Sequence, residues 1–212
     1  LLGGSIGFYG STLNTRQYAT KGYLEKLIAQ VFTGRERFEP GNPQEGYSPS
    51  PQERQSWLQI SYMKEAYHTM GPKFTLGWMA EALYSSKNFS ENYTATMMQA
   101  GEFAPTPHSK LMYNEAFRAN QYVAAGIKPI YVLNDMFQFR TEFYGFTPIF
   151  PIKKNALNKA YYGKAFSRFE YMGEVSVICH LPFGAISAYV NHYSSPRREW
   201  NVGLSIGWQL FN

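Results

Sequence analysis

The chain alternates without a break from Trp200 to Leu210. Trp200, Val202, Leu204, Ile206, Trp208 and Leu210 share one parity, and Asn201, Gly203, Ser205, Gly207 and Gln209 share the other. Successive side chains of a strand point to opposite faces, so this stretch predicts a strand with one wholly apolar face and one small or polar face. The same period recurs upstream. Met136 to Phe146 sets Phe137, Phe139, Thr141 and Phe143 against Gln138, Arg140, Glu142 and Tyr144. Phe74 to Tyr84 sets Phe74, Leu76, Trp78, Ala80 and Ala82 against Thr75, Gly77, Met79 and Glu81. Leu2 to Leu13 places Leu2, Gly4, Ile6 and Phe8 on one side.

Further strands are predicted over Trp57–Thr69, Gln121–Val132, Phe166–His180 and Ala185–His192, with the closing strand at Trp200–Phe211. Tyr23–Phe38 alternates less cleanly, and GYLEKLIAQVF also satisfies a helical period. Short turns are expected at Asn14–Gln17, Met70–Lys73, Leu133–Asp135 and Leu181–Gly184, and a polar one at Ser194–Arg197. The other connections are longer. Phe38–Arg54 is Pro/Gly/Ser-rich and reads as an exposed loop. Lys87–Asn120 is irregular: TATMMQAGEF fits a short helix or a strand, and EFAPTPHSK is a proline-punctuated loop. Thr147–Lys159 is another loop. About nine or ten antiparallel strands, with tight turns at one rim and long loops at the other, match an all-β, up-and-down outer-membrane β-barrel.

Composition narrows the membrane question. The chain has 212 residues and a mean hydropathy of −0.37, with no run of about 18 apolar residues, which excludes a helical membrane protein. It leaves a barrel open, because half of each strand faces water. Aromatic residues make up 17% of the chain, which suits the girdles of a barrel and equally the core of a soluble β-sandwich. The net charge of +5 contains no long basic run, so no nucleic-acid partner is expected. The single cysteine, Cys179, excludes an internal disulfide and a cysteine-based metal site, and reads as a small lipid-facing or core residue. The four histidines lack metal-ligand spacing, and His180 shares its strand phase with Glu174 and Ser176. No cofactor and no metal are expected.

Few residues suggest chemistry. Gly3-Gly4-Ser5-Ile6-Gly7 matches the G-x-S-x-G nucleophile elbow, which requires a strand before the serine and a helix after it. Here the alternation simply continues, so a soluble serine hydrolase using Ser5 is the weaker reading. Gln138, Arg140 and Glu142 share a face whose opposite side is aromatic or Thr, so they are expected to face a polar lumen. An arginine turned to lipid costs roughly 2–4 kcal/mol at the bilayer midplane. Asn88-Phe89-Ser90 and Asn92-Tyr93-Thr94 fit the glycosylation sequon, which carries meaning only in a eukaryotic secreted protein. No residue is expected to be catalytic, and this chain is not expected to be an enzyme.

Asn201, Gly203, Ile206 and Trp208 fit the barrel-assembly signal, and the ending from Ile206 to Phe211 resembles the last strand of the BamA-like surface-antigen superfamily. FRANQYVAAGIKPIYVLNDMFQFRTEFYGFTPI (Phe117–Ile149) and Phe169–Asn212 resemble the C-terminal barrel of patatin-like phospholipases from Bacteroidetes-type bacteria. The likeness covers most of residues 100–212 and, more loosely, residues 1–90. It implies that residues 1–212 form one outer-membrane β-barrel domain, the C-terminal part of a longer protein, and, because the family's barrel has sixteen strands, a partial barrel of about nine or ten. That domain would anchor, and could translocate, an upstream patatin-like domain that carries the family's catalytic residues. The implied partners are outer-membrane lipid, the barrel assembly machinery and the upstream domains. The superfamily's arginine-glycine-phenylalanine loop motif is absent, and FRANQY stands near its place. A stand-alone porin or transporter barrel is the alternative.

Overall fold

The structure, a computed structural model, describes residues 1–36, 54–195 and 200–208. Thirteen strands are described. Nine of them form one antiparallel meander: β1 (Leu2–Ser11), β2 (Gly22–Arg35), β3 (Arg54–Thr69), β4 (Phe74–Ser85), β7 (Gln121–Val132), β8 (Phe137–Pro148), β11 (Glu170–Leu181), β12 (Gly184–Tyr193) and β13 (Trp200–Trp208). Each strand pairs with the next, and the sheet is not closed: β1 and β13 are its edges. The segment open to a helical reading, Gly22–Arg35, is a strand, paired with β1 over Leu24–Thr33. Among the described residues no helix is long and apolar enough to cross a membrane.

The outward face of the sheet is mostly apolar, while the covered face mixes charged and polar residues with a cluster of apolar and aromatic ones. On β8 the outward Phe143 is 54% exposed, while its neighbour Glu142 is 6% exposed. The outward rows read Val175 and Val177 on β11, Ile186 and Val190 on β12, and Trp200, Val202, Leu204 and Ile206 on β13, all exposed. The covered rows contain Thr75, Lys128, Gln138, Arg140, Glu174, Ser176, Ser187 and Asn191. Aromatic residues bound the outward band, with Phe74 and Tyr84 at the two ends of β4. Ten residues at about 3.3 Å each is about 33 Å. At a tilt of about 45° that gives about 23 Å of height, close to the ~25 Å band of an outer-membrane barrel. The outward face also carries charge: Lys64 lies 3.6 Å from Glu25, and the Tyr62 hydroxyl donates to Glu25 at 2.7 Å.

The two rims differ as the loop lengths predict. The turns at 70–73, 133–136 and 182–183 share one rim with the β1–β2 connection. At the β7–β8 turn the Asn134 carboxamide accepts from the amides of Met136 and Phe137, holding the hairpin. At Gly22, φ is +90°, and a Cβ would run into the Thr12 carbonyl, so only glycine fits where β2 begins.

The other rim holds the β2–β3 connection, whose residues 37–53 lie outside the described residues, the β4–β7 connection and the β8–β11 connection. The β4–β7 connection contains α1 (Tyr93–Gln99), β5 (Gly101–Glu102), a single 3-10 turn (Glu115–Phe117) and β6 (Arg118–Ala119). Of the two readings of TATMMQAGEF, the helix holds for Thr94–Gln99, started by Asn92, whose side chain accepts from the Ala95 amide. The β8–β11 connection carries a small hairpin, β9 (Ile152–Lys154) with β10 (Ala160–Tyr162).

The core lies inside the curve of the sheet. Phe103 and Phe117 pack against Tyr122, Tyr144, Phe146, Met172 and Tyr193 from four strands. The expected loop EFAPTPHSK is therefore an interior plug, with Phe103, Thr106 and Ser109 all buried. The expected turn at Asn14–Gln17 is also more than a turn. The connection runs from Thr12 to Lys21 and folds inward, burying Ala19 against Tyr67 and Ile130.

Candidate functional site

Strand alternation fixes the inner lining. Gln138, Arg140, Glu142 and Tyr144 occupy every second position of β8, so all four turn inward, and all are buried. Arg140 and Glu142 form an ion pair. The Arg140 guanidinium also donates to the Ala19 carbonyl at 3.0 Å and to the Tyr67 hydroxyl at 2.7 Å. The Tyr144 hydroxyl donates to the other Glu142 oxygen at 2.5 Å. Tyr67 in turn donates to Glu65, and Lys128 lies 3.0 Å from Glu65. A continuous chain of charge and hydrogen bonds thus runs Glu142, Arg140, Tyr67, Glu65, Lys128, crossing from β8 through β3 to β7. Three of its members, Lys128, Arg140 and Glu142, are almost fully removed from water, where an unpaired charge is very costly.

The inward-folded β1–β2 connection completes the arrangement. The Tyr18 hydroxyl is 2.7 Å from Ser187 Oγ on β12, and the Gln138 amide donates to the Tyr18 carbonyl at 3.2 Å. Burial raises the Tyr18 pKa, so the phenol stays protonated. Tyr18 adopts a left-handed backbone, φ +53°, to turn its ring inward. On the plug side, His108 Nδ1 is 2.8 Å from the Tyr193 hydroxyl, and burial lowers the imidazole pKa.

Two cavities result. One of about 560 Å³ lies between the β1–β2 connection and the plug, lined by Lys26, Lys110, Arg16, Glu65, Glu81 and Arg140 among others. One of about 620 Å³ lies on the turn-rim side of the connection, lined by Thr69, Lys73, Gln138, His180 and Ala185 among others. Of the cations that line these spaces, Lys128 and Arg140 are paired with carboxylates, those of Glu65 and Glu142. The arrangement braces the wall of the sheet, and among the described residues that line it there is no nucleophile with an attendant base. Ser5 lies in mid-strand on edge strand β1, opposite Gln30, and the next residues continue the strand to Ser11. No elbow forms there. Among the described residues no cluster of His, Cys, Asp or Glu could hold a metal ion.

The closing-strand residues divide between faces. Asn201 and Gly203 turn inward opposite Asn191 and Tyr189, and Ile206 is exposed outward opposite Ile186. The Tyr189 ring occupies the space a Cβ on Gly203 would need, which explains the glycine. Trp208 pairs with Gly184 and is the last described residue, so Phe211 lies outside the described residues. Tyr18, Glu65, Tyr67 and Lys128 escaped sequence reasoning. The inward phase of Lys128 is legible in the apolar row on the opposite face of the strand, Val123, Ala125, Ile127 and Tyr131. Comparison with protein-family models, curated proteins and solved structures yields no match for the chain.

Proposed function

We propose that this chain is a membrane-spanning β-sheet of a bacterial outer-membrane barrel, whose role is to anchor the further domains of its polypeptide. The observation that carries this is the distribution of polarity: large apolar side chains dominate the outward face, while Arg140, Glu142, Lys128 and Glu174 lie within. Lipid offers no hydrogen-bond partners, so a spanning sheet must present this arrangement. The two inward-folded connections favour an anchor over an open diffusion pore, because they occupy the interior. The likeness of Phe117–Ile149 and Phe169–Asn212 to the barrels of patatin-like phospholipases supports a lipid acyl hydrolase as the anchored domain. The chemistry would then belong to that domain, and no residue of this chain is assigned to it.

Val177→Arg tests the reading. Val177 is outward on β11 and 40% exposed. In vesicles the substitution is expected to lower unfolding stability by about 2–4 kcal/mol. On the wet face of a soluble sheet it would change stability by no more than about 0.5 kcal/mol. A native chain that folds as a soluble monomer without detergent or lipid would overturn the proposal.

A further inference from the structure

We propose that the β8–β11 connection is a contact for anionic lipid headgroups, with its lysines against the lipid phosphates at the loop rim. This rests on the membrane-spanning reading above.

The sequence bias is sharp. Residues 149–169 contain four lysines and one arginine and no Asp or Glu. The β9–β10 hairpin and the residues just after it display the lysines: Lys153, Lys154, Lys159 and Lys164 are all exposed, while Ile152 is buried against Met97 and Ala100 and fixes the hairpin on α1. The carboxylates within reach do not neutralise them. Glu91 lies 3.8 Å from Lys159, with both side chains well exposed, and Glu115 is taken by the Tyr93 hydroxyl. Among the described residues Lys153, Lys154 and Lys164 have no carboxylate partner. Arg168 is left out of the contact, because it is held by Glu170 and by the Ala116 carbonyl.

Apolar side chains interleave with this charge. Leu157 is 80% exposed, Phe166 61% and Phe169 65%. Phe169 continues the outward row of Tyr171, so the hairpin rises directly from the apolar band at the loop rim. Cations next to exposed apolar and aromatic side chains at the end of an apolar band match the boundary between acyl chains and phosphates. The commitment is to lipid phosphate rather than a free anion: the lysines are spread over an exposed hairpin, not gathered in a pocket.

Spin-labelled lipids at the protein boundary provide the test. The full chain is placed in phosphatidylcholine vesicles containing spin-labelled phosphatidic acid or, separately, spin-labelled phosphatidylcholine. Electron paramagnetic resonance then gives the fraction of each lipid immobilised by the protein. The expected result is a several-fold preference for phosphatidic acid that falls towards one in a K153Q/K154Q/K159Q/K164Q variant. It should persist in a K21Q/K73Q control at the opposite rim, and it should weaken with added salt. An equal fraction for both lipids, or a preference that survives the fourfold change, overturns the proposal. Loss of the preference in excess inorganic phosphate at constant ionic strength also overturns it, as the mark of a free-anion site. Absence of an immobilised component for either lipid removes the membrane-spanning reading itself, and this inference with it.

Discussion

Arg140 carries a full charge at 3% exposure, and its stability there depends on three oxygen atoms, from Glu142, Ala19 and Tyr67, arriving from three different parts of the chain. One of them, on Glu142, carries the compensating charge. Removing one partner of such a pair strands the other, at a cost of about 3–5 kcal/mol, whereas removing both together leaves no stranded charge. Arg140→Met is therefore expected to destabilise the folded sheet by about 3–5 kcal/mol. Adding Glu142→Leu should restore part of that loss rather than deepen it. Denaturant unfolding of the two single variants and the double variant in the same vesicles measures the coupling. Simple additivity would mean that the pair acts as two independent side chains. The inward direction of Arg140 and Glu142 was readable from the aromatic row opposite them. Their partners were not, because Tyr67 and Ala19 lie 73 and 121 residues away along the chain.

Elements were legible in proportion to how fully their period survived. The hairpins around 70–73 and 133–136 kept theirs, and their strands emerge within three residues of expectation, the largest difference being a start at Arg54 rather than Trp57. The strand expected from Phe166 begins instead at Glu170, because Phe166 has a φ of +51°, which no strand tolerates. The plug left no periodic trace: Phe103 and Phe117 are isolated aromatics among Pro, Ser and Asn, and only the finished sheet gives them a place to pack. Phe103 lies within about 6 Å of three aromatic rings, those of Tyr122, Tyr144 and Phe146. Phe103→Ala is expected to cost about 3–5 kcal/mol and to spend it locally. Limited proteolysis should open residues 103–117 while hydrogen exchange of the β7–β8 ladder stays slow. Equal loosening of both would show the plug and wall to be one cooperative unit.

At the scale of the whole molecule, β1 and β13 each have, among the described residues, one edge whose row of backbone donors and acceptors lacks a ladder partner. In lipid such rows are costly, so the 212-residue chain by itself is expected not to run as a compact, heat-modifiable monomer after refolding in detergent. A sharp compact band that shifts on boiling would contradict this. The strand order contains a stricter condition. An up-and-down sheet reverses direction at every step, and this one has nine members. Its first and last strands therefore run the same way, both from the long-loop rim toward the tight-turn rim. A seam made by joining them would be parallel in an otherwise antiparallel wall. Antiparallel closure is a matter of parity: the strands that fill the gap must be odd in number, whatever their sequence.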